Sequence, residues 1–280
     1  MQTISIDEVV DYCYCPMFYY LRYLEPDTKD ETVSVAEKYN RDLHRTVYAF
    51  YSMIQNHAPA RIETLKRSWG TMWIGKRGTE EFVVSTAGSW RDTHNERRKR
   101  GIQAIIKFYN NFKGQEGFPI AINAPYTIQI HDDLQLTGVW ELIREIEVSP
   151  GQREIQIVAF TVDDKTHNTM RAEKDLGLSA ASLAFRDAFG RQEDACVIYG
   201  MEKGKFQRVT RDQQEYTLLK YTVDCVAKNI KDRRFPVCPG EQCYSCLYRQ
   251  RCKKLLNDKS KLSKLCYNKG GNGNVIHETE

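Results

Sequence analysis

The sequence predicts an α/β fold built around a hairpin at residues 136–166, LTGVWELIREIEVSPGQREIQIVAFTVDDKT. Three observations carry that prediction. One arm alternates through Leu142, Ile143, Ile146 and Val148, and a Ser149-Pro150-Gly151-Gln152 turn then reverses the chain. The returning arm, 155–162, is β-branched and apolar enough for a buried central strand. Upstream, Val35, Tyr39, Leu43, Val47 and Phe50 recur at spacings of three and four, the period of a helix with one buried face.

In order along the chain, Ser5 or Asp7 caps a first helix through Val9, Val10 and Tyr12, which Pro16 interrupts. The aromatic-rich string from Tyr12 to Tyr20 reads as a helix junction packed on the protein body. Residues 31–55 form the amphipathic helix, with His44 beside its apolar stripe. Helices are predicted at 62–69 and 90–112, separated by a glycine-containing stretch, so residues 60–118 read as a helical insertion walling a cleft. A strand over 119–130 and a turn at Asp132-Asp133 lead into the hairpin. A helix at 170–189 follows, with small residues Ser179, Ala180, Ala181 and Ser182 for close packing. Strands at 195–199 and 206–210 meet at Gly204, and a helix at 212–231 leads to Pro236 and Pro239. The tail from Lys269, GGNGNVIHETE, reads as flexible.

Composition sets outer limits. At 280 residues the chain holds one sizeable domain or a core with an insertion, and 41% hydrophobic with 28% charged residues suits a soluble globular protein. No apolar run reaches the length of a membrane span, and Asp7, Glu8 and Asp11 make a secretory start unfitting, which places the protein in the cytoplasm. A net charge of +4 does not by itself announce nucleic-acid binding, so local basic runs matter more. They are Arg97-Arg98-Lys99-Arg100, residues 231–234, and 253–264.

The returning arm ends in Asp163-Asp164-Lys165. With a strand period of two, Asp163 and Lys165 share a face, and Glu141 on the paired arm can lie beside them. Carboxylates converging on one point repel unless a hard cation such as Mg²⁺ or Mn²⁺ sits between them, and a neighbouring lysine orients an attacking water. A surface hairpin ending in solvated charges fits the same triplet.

Nine cysteines without a signal peptide argue for metal or redox chemistry over disulfides. Cys243, Cys246 and Cys252 form C-x2-C-x5-C, the most specific local signal in the chain. A zinc knuckle would take Cys238 as its fourth ligand. A [4Fe–4S] cluster would take Cys15, or Cys13 or Cys238 in its place.

Taken together, Gly138 followed by Glu141, the hairpin, and Asp163-x-Lys165 resemble the core of the PD-(D/E)xK nuclease superfamily. The flanks resemble its RecB-like branch, which includes the AddB nuclease domain and the iron–sulfur nucleases of CRISPR adaptation. Cys15-Pro16 with its following aromatics looks like that branch's first cluster segment, and Tyr248 matches its C-x2-C-x-Y aromatic. The resemblance covers residues 5–252 apart from 60–118. It implies a restriction-endonuclease-like mixed sheet flanked by helices, with an iron–sulfur-stapled terminal subdomain. The parts would be an N-terminal segment at 1–30, a helical region at 31–118, the nuclease core at 119–235, the cysteine cluster at 236–254 and a basic tail at 255–280.

What the resemblance implies for function is metal-dependent hydrolysis of DNA, from a single-stranded end. Glu141 and Asp163 would hold Mg²⁺ or Mn²⁺ with His44 and the Asp164 carbonyl, and Lys165 would act on the water. Cys15, Cys243, Cys246 and Cys252 would hold the [4Fe–4S] cluster, and Arg97, Arg98 and Arg100 would meet DNA. Partners in recombination, replication or CRISPR adaptation are compatible, with a phage or archaeal-virus context among the settings. The chain departs from the pattern in three places: Asn40 stands where glycine is usual, Glu141 replaces the usual Asp, and Gly177 and Ala181 occupy the positions of a Q-x-x-x-Y pair. Those departures leave open a second reading, a catalytically inactive DNA-binding subunit.

Overall fold

The computed structural model describes residues 1–25, 32–74, 82–84, 90–162, 174–244 and 246–257. The chain divides into two compact units, one of Met1–Ile6 with Asp27–Lys220 and the other of Asp7–Pro26 with Tyr221–Glu280. Among the described residues no helix is long and apolar enough to cross a membrane.

The first unit is a mixed α/β structure on a six-stranded sheet. Its strands are β1 (Gln2–Ser5), β4 (Phe118–His131), β5 (Leu134–Ser149), β6 (Gln152–Thr161), β7 (Ala195–Gly200) and β8 (Lys205–Val209), while β2 (Thr32–Ser34) and β3 (Phe82–Val84) pair apart from it. Strand β5 is the axis. Antiparallel β4 runs beside it, β1 pairs parallel with its start over Leu134 to Thr137, and antiparallel β6 pairs with its end from Leu142. Residues 138–141 are therefore the stretch of β5 between the β1 and β6 ladders. Parallel β6–β7 and antiparallel β7–β8 pairs complete the sheet.

Helix α3 (Val35–Gln55) follows two shorter ones, α1 (Ile6–Tyr14) and α2 (Pro16–Tyr19). Together with α4 (Ile62–Ile74) and α5 (Trp90–Phe112) it covers the sheet. Tyr39, Leu43, Val47 and Phe50 of α3, Trp69 and Trp73 of α4, and Phe108 and Phe112 of α5 are buried in one cluster with Leu142, Val158, Phe160 and Tyr199 of the sheet. The segment read as an insertion is thus part of the main core, because its aromatic stripes need the sheet face to leave water. Helix α6 (Leu176–Phe189) packs on β4, β5 and β6, capped by the Asp175 carboxylate accepting from the Leu178 amide at 2.8 Å.

The expected hairpin is present, its turn closed by Gly151 at φ 79°, a conformation only glycine adopts without strain. Two local differences have physical reasons. The chain opens with strand β1 before its first helix, because four residues with β-branched Thr3 and Ile4 find a partner edge on β5 that no local pattern reveals. The helix expected from Met170 is described from Leu176, where the Asp175 cap sets its start; Met170 lies outside the described residues.

The second unit joins residues from both ends of the chain. Helix α2 leads into a π-helical turn at Tyr20–Leu24. The buried Phe235 ring meets Tyr12, Tyr19 and Tyr20, and the Tyr12 hydroxyl donates to the Arg234 carbonyl at 2.5 Å. Helix α7 (Gln213–Lys231) starts in the first unit on an Asp212/Glu215 capping box and belongs to the second from Tyr221. The 3-10 turn Glu241–Tyr244 and helix α8 (Arg249–Asn257) follow it.

Candidate functional site

Two expected site residues meet at the gap in the β5 ladders. Helix α3 buries Leu43 and Val47, which leaves His44 a quarter exposed at the edge of that stripe. Its Nδ1 lies 3.5 Å from Oε1 of Glu141, itself a quarter exposed. The other Glu141 oxygen accepts from the backbone amide of Phe160, across the point where β5–β6 pairing ends. One carboxylate oxygen thereby anchors the side chain while the other faces the imidazole. Gly138 is required nearby, because a Cβ there would overlap the Tyr126 ring on β4.

The surroundings are apolar and charged by turns. The Phe160 ring lies 6.5 Å and the Tyr48 ring 6.2 Å from the His44 ring. Burial pushes the Tyr48 hydroxyl far above its ordinary pKa, and the Glu141 charge adds to that. His44 Nε2 is buried and has no hydrogen-bond partner among the described residues. A buried ring nitrogen costs free energy unless something accepts or donates to it, so this atom marks an unmet polar demand on the ring whose Nδ1 faces the carboxylate. An imidazole nitrogen and a carboxylate oxygen suit a divalent cation. Asp163, Asp164 and Lys165, the other three expected members of the site, lie outside the described residues, as does Thr166.

In the second unit Cys15, Cys243, Cys246 and Cys252 line one cavity of about 210 Å³, with Met17, Phe18, Leu21 and Tyr248 among its walls. Cys15 precedes Pro16 at the start of α2, Cys243 sits in the 3-10 turn, and Cys252 is set in α8 by its amide bonding the Tyr248 carbonyl at 2.8 Å. Burial raises the Cys246 and Cys252 thiols, and the neighbouring cysteines raise them further. Cys13 and Cys238 are exposed and do not line the cavity. Among the described residues no three His, Cys, Asp or Glu side chains close on a point that would hold a single metal ion.

The sequence model of the PD-(D/E)XK nuclease superfamily matches residues 3–253. The chain belongs to that superfamily. Among solved structures, the chain shows lower-level similarity to two crystal structures. One is a candidate exonuclease from Eubacterium rectale, 9% identical, TM-score 0.47, over 89% of this chain and 87% of the other. The second is the protein SSO0001, 10% identical, TM-score 0.32, over 83% and 91%. No curated protein matches the chain in sequence.

For a PD-(D/E)XK nuclease, the remaining expected residues fall as follows. Arg97 and Arg100 on α5 both meet Glu202, at the β7–β8 turn, and the Arg97 guanidinium lies 5.0 Å from the Tyr39 ring centre. Tyr39 donates to the same Glu202 carboxylate at 2.8 Å, and Lys107 bonds its carbonyl at 2.6 Å. Arg98 is exposed, and its carbonyl accepts from the Trp69 indole at 3.2 Å. Ala181 on α6 is buried, and its carbonyl takes the Trp140 indole N–H at 2.8 Å. Asn40 is exposed on α3.

Sequence reasoning passed over Asp42. It is 1% exposed one turn before Thr46, with Lys38 Nζ at 2.5 Å, Arg41 Nε at 3.4 Å and Arg45 Nη1 at 4.0 Å. The i,i+4 spacing of Lys38 and Asp42 was the available signal; only burial distinguishes it from an ordinary surface pair. Glu202 carried no signal at all.

Proposed function

We propose that this PD-(D/E)XK nuclease hydrolyses DNA phosphodiesters with Mg²⁺ or Mn²⁺, as an exonuclease acting on single-stranded ends. The observation that supports it is the His44 and Glu141 pair, in which the imidazole Nδ1 faces an anchored carboxylate while Nε2 of the same ring is buried without a partner among the described residues. In this reading Glu141 and Asp163 hold the cation, and His44 and the Asp164 carbonyl complete its protein ligands. Asp163 follows Phe160 by three positions, and the Phe160 amide already contacts Glu141. The cation, when bound, supplies Lewis-acid polarisation of the phosphoryl group. Lys165 orients the attacking water and offsets charge on the phosphate. The test is cleavage of end-labelled strands by anaerobically purified protein. Cleavage should need Mg²⁺ or Mn²⁺ and fall by at least ~100-fold in Lys165→Ala. No cation-dependent cleavage by the wild type overturns the reading.

In the same proposal Cys15, Cys243, Cys246 and Cys252 hold a [4Fe–4S] cluster that joins the two chain segments of the second unit. Four thiol residues around a cavity of about 210 Å³ leave room for a polynuclear centre, and thiolates suit iron–sulfur ligation. Iron and zinc analysis of the purified protein separates this from a zinc site.

A second reading is a DNA-binding subunit without catalysis, in a replication, recombination or transcription assembly. The observation favouring it is on α6, where Ala181 is buried against Trp140 and offers substrate no polar side chain. Equal DNA binding by wild type and Asp163→Asn, with cleavage by neither, selects it.

A further inference from the structure

The cysteine unit carries an aromatic and basic surface that the site near Glu141 does not account for. Tyr244, at the end of the 3-10 turn, is 79% exposed, the highest exposure of any aromatic side chain among the described residues. The Arg249 guanidinium lies 5.5 Å from its ring centre, which sets a positive charge over the ring. Exposed Lys253 and Lys254 follow one turn further along α8. Residues 244–257, YSCLYRQRCKKLLN, contain four basic side chains and no acidic one. A ring carrying a guanidinium beside lysines has the chemistry of a base-stacking platform next to phosphate contacts.

We infer that Tyr244, Arg249, Lys253 and Lys254 form a docking surface for single-stranded nucleic acid, one base stacking on Tyr244 and the adjacent phosphates meeting the lysines. Single strands fit better than duplex because a stacking ring needs an unpaired base face, and the positive charge complements the backbone. The inference rests on the nuclease reading for its substrate class but concerns a different surface.

The experiment is binding of a fluorescein-labelled oligo(dT) by anisotropy, without divalent cation, on iron-loaded protein. Tyr244→Ala should weaken binding by about tenfold, and Tyr244→Phe, which keeps the stacking face, should bind as the wild type does. Replacing both Lys253 and Lys254 by Glu should lower the salt slope by about 1.4, two phosphates at roughly 0.7 each. Wild-type affinity in Tyr244→Ala, or an unchanged slope in the lysine variant, overturns the inference. So does equal weakening in Tyr244→Phe, which would make the hydroxyl and not the ring face the contact. Cleavage by the wild type alongside unaltered binding by Tyr244→Ala removes the docking surface alone. Loss of binding in Tyr244→Ala when the wild type cleaves nothing removes the nuclease reading alone.

Discussion

The imidazole Nδ1 of His44 and the Oε1 of Glu141 stand 3.5 Å apart, joining the first long helix to the axial strand of the sheet. Each belongs to a rigid element, so neither needs to be recruited from a loop when a cation arrives. His44→Ala and Glu141→Gln should each lower cation-dependent cleavage by at least ~100-fold and raise the Mn²⁺ concentration for half-maximal activity. Titration calorimetry with Mn²⁺ checks the second point without relying on turnover; unchanged Mn²⁺ affinity in both variants would remove the pair from the ligand set.

Asp42 compensates Lys38, which is buried beside it and within 5.4 Å of the Trp73 ring centre. Removing a carboxylate from such a pair leaves a desolvated ammonium, so Asp42→Asn should cost about 3–5 kcal/mol. Urea denaturation followed by tryptophan fluorescence measures it. Arg45→Ala, which removes only a 4.0 Å partner with a mostly exposed side chain, should cost less than about 1 kcal/mol.

Glu202 holds Arg97 and Arg100 in the resting protein. If these arginines serve DNA, they must exchange that carboxylate for phosphate. Glu202→Gln should therefore tighten oligonucleotide binding severalfold at low salt and steepen its salt dependence. Identical salt slopes in wild type and variant would show that α5 stays away from DNA.

Arg208 grips Glu154 with two hydrogen bonds, at 2.7 and 3.1 Å, and these hold the Glu154 carboxyl below its ordinary value of 4.5. A carboxyl with a lower pKa folded than unfolded stabilises fully above the unfolded value, and that contribution fades as pH falls through the folded value. The stability gap between wild type and Glu154→Gln should be present at pH 7 and close as the pH falls below 4.5 and through the lowered folded value. Chemical denaturation at a series of pH values reads it directly.

The hairpin, the amphipathic helix carrying His44 and the C-x2-C-x5-C run of Cys243, Cys246 and Cys252 were legible in the sequence. Each rests on a local period, a turn or a short spacing, which neighbours in the chain determine. What could not be read depends on contacts between distant segments. Glu202 reaches Arg100 across 102 positions, and nothing near either residue announces the other. β1 is four residues long and exists because β5 offers it an edge. The packing of Trp69 and Trp73 into the sheet core was likewise invisible, since an apolar stripe states that a helix buries a face without stating against what.

The second unit is discontinuous: Tyr12, Cys15 and Tyr19 find their partners at Arg234, Phe235 and Cys243 to Cys252. During synthesis the early segment must wait, unsatisfied, until more than two hundred further residues have left the ribosome. In nascent chains the segment around Tyr12 and Cys15 is consequently exposed to chaperones and proteases while those residues are made. Any molecule that stalls before the cysteine-rich stretch lacks the partner that the segment around Cys15 requires, so completion of the unit reports that translation has passed Cys252.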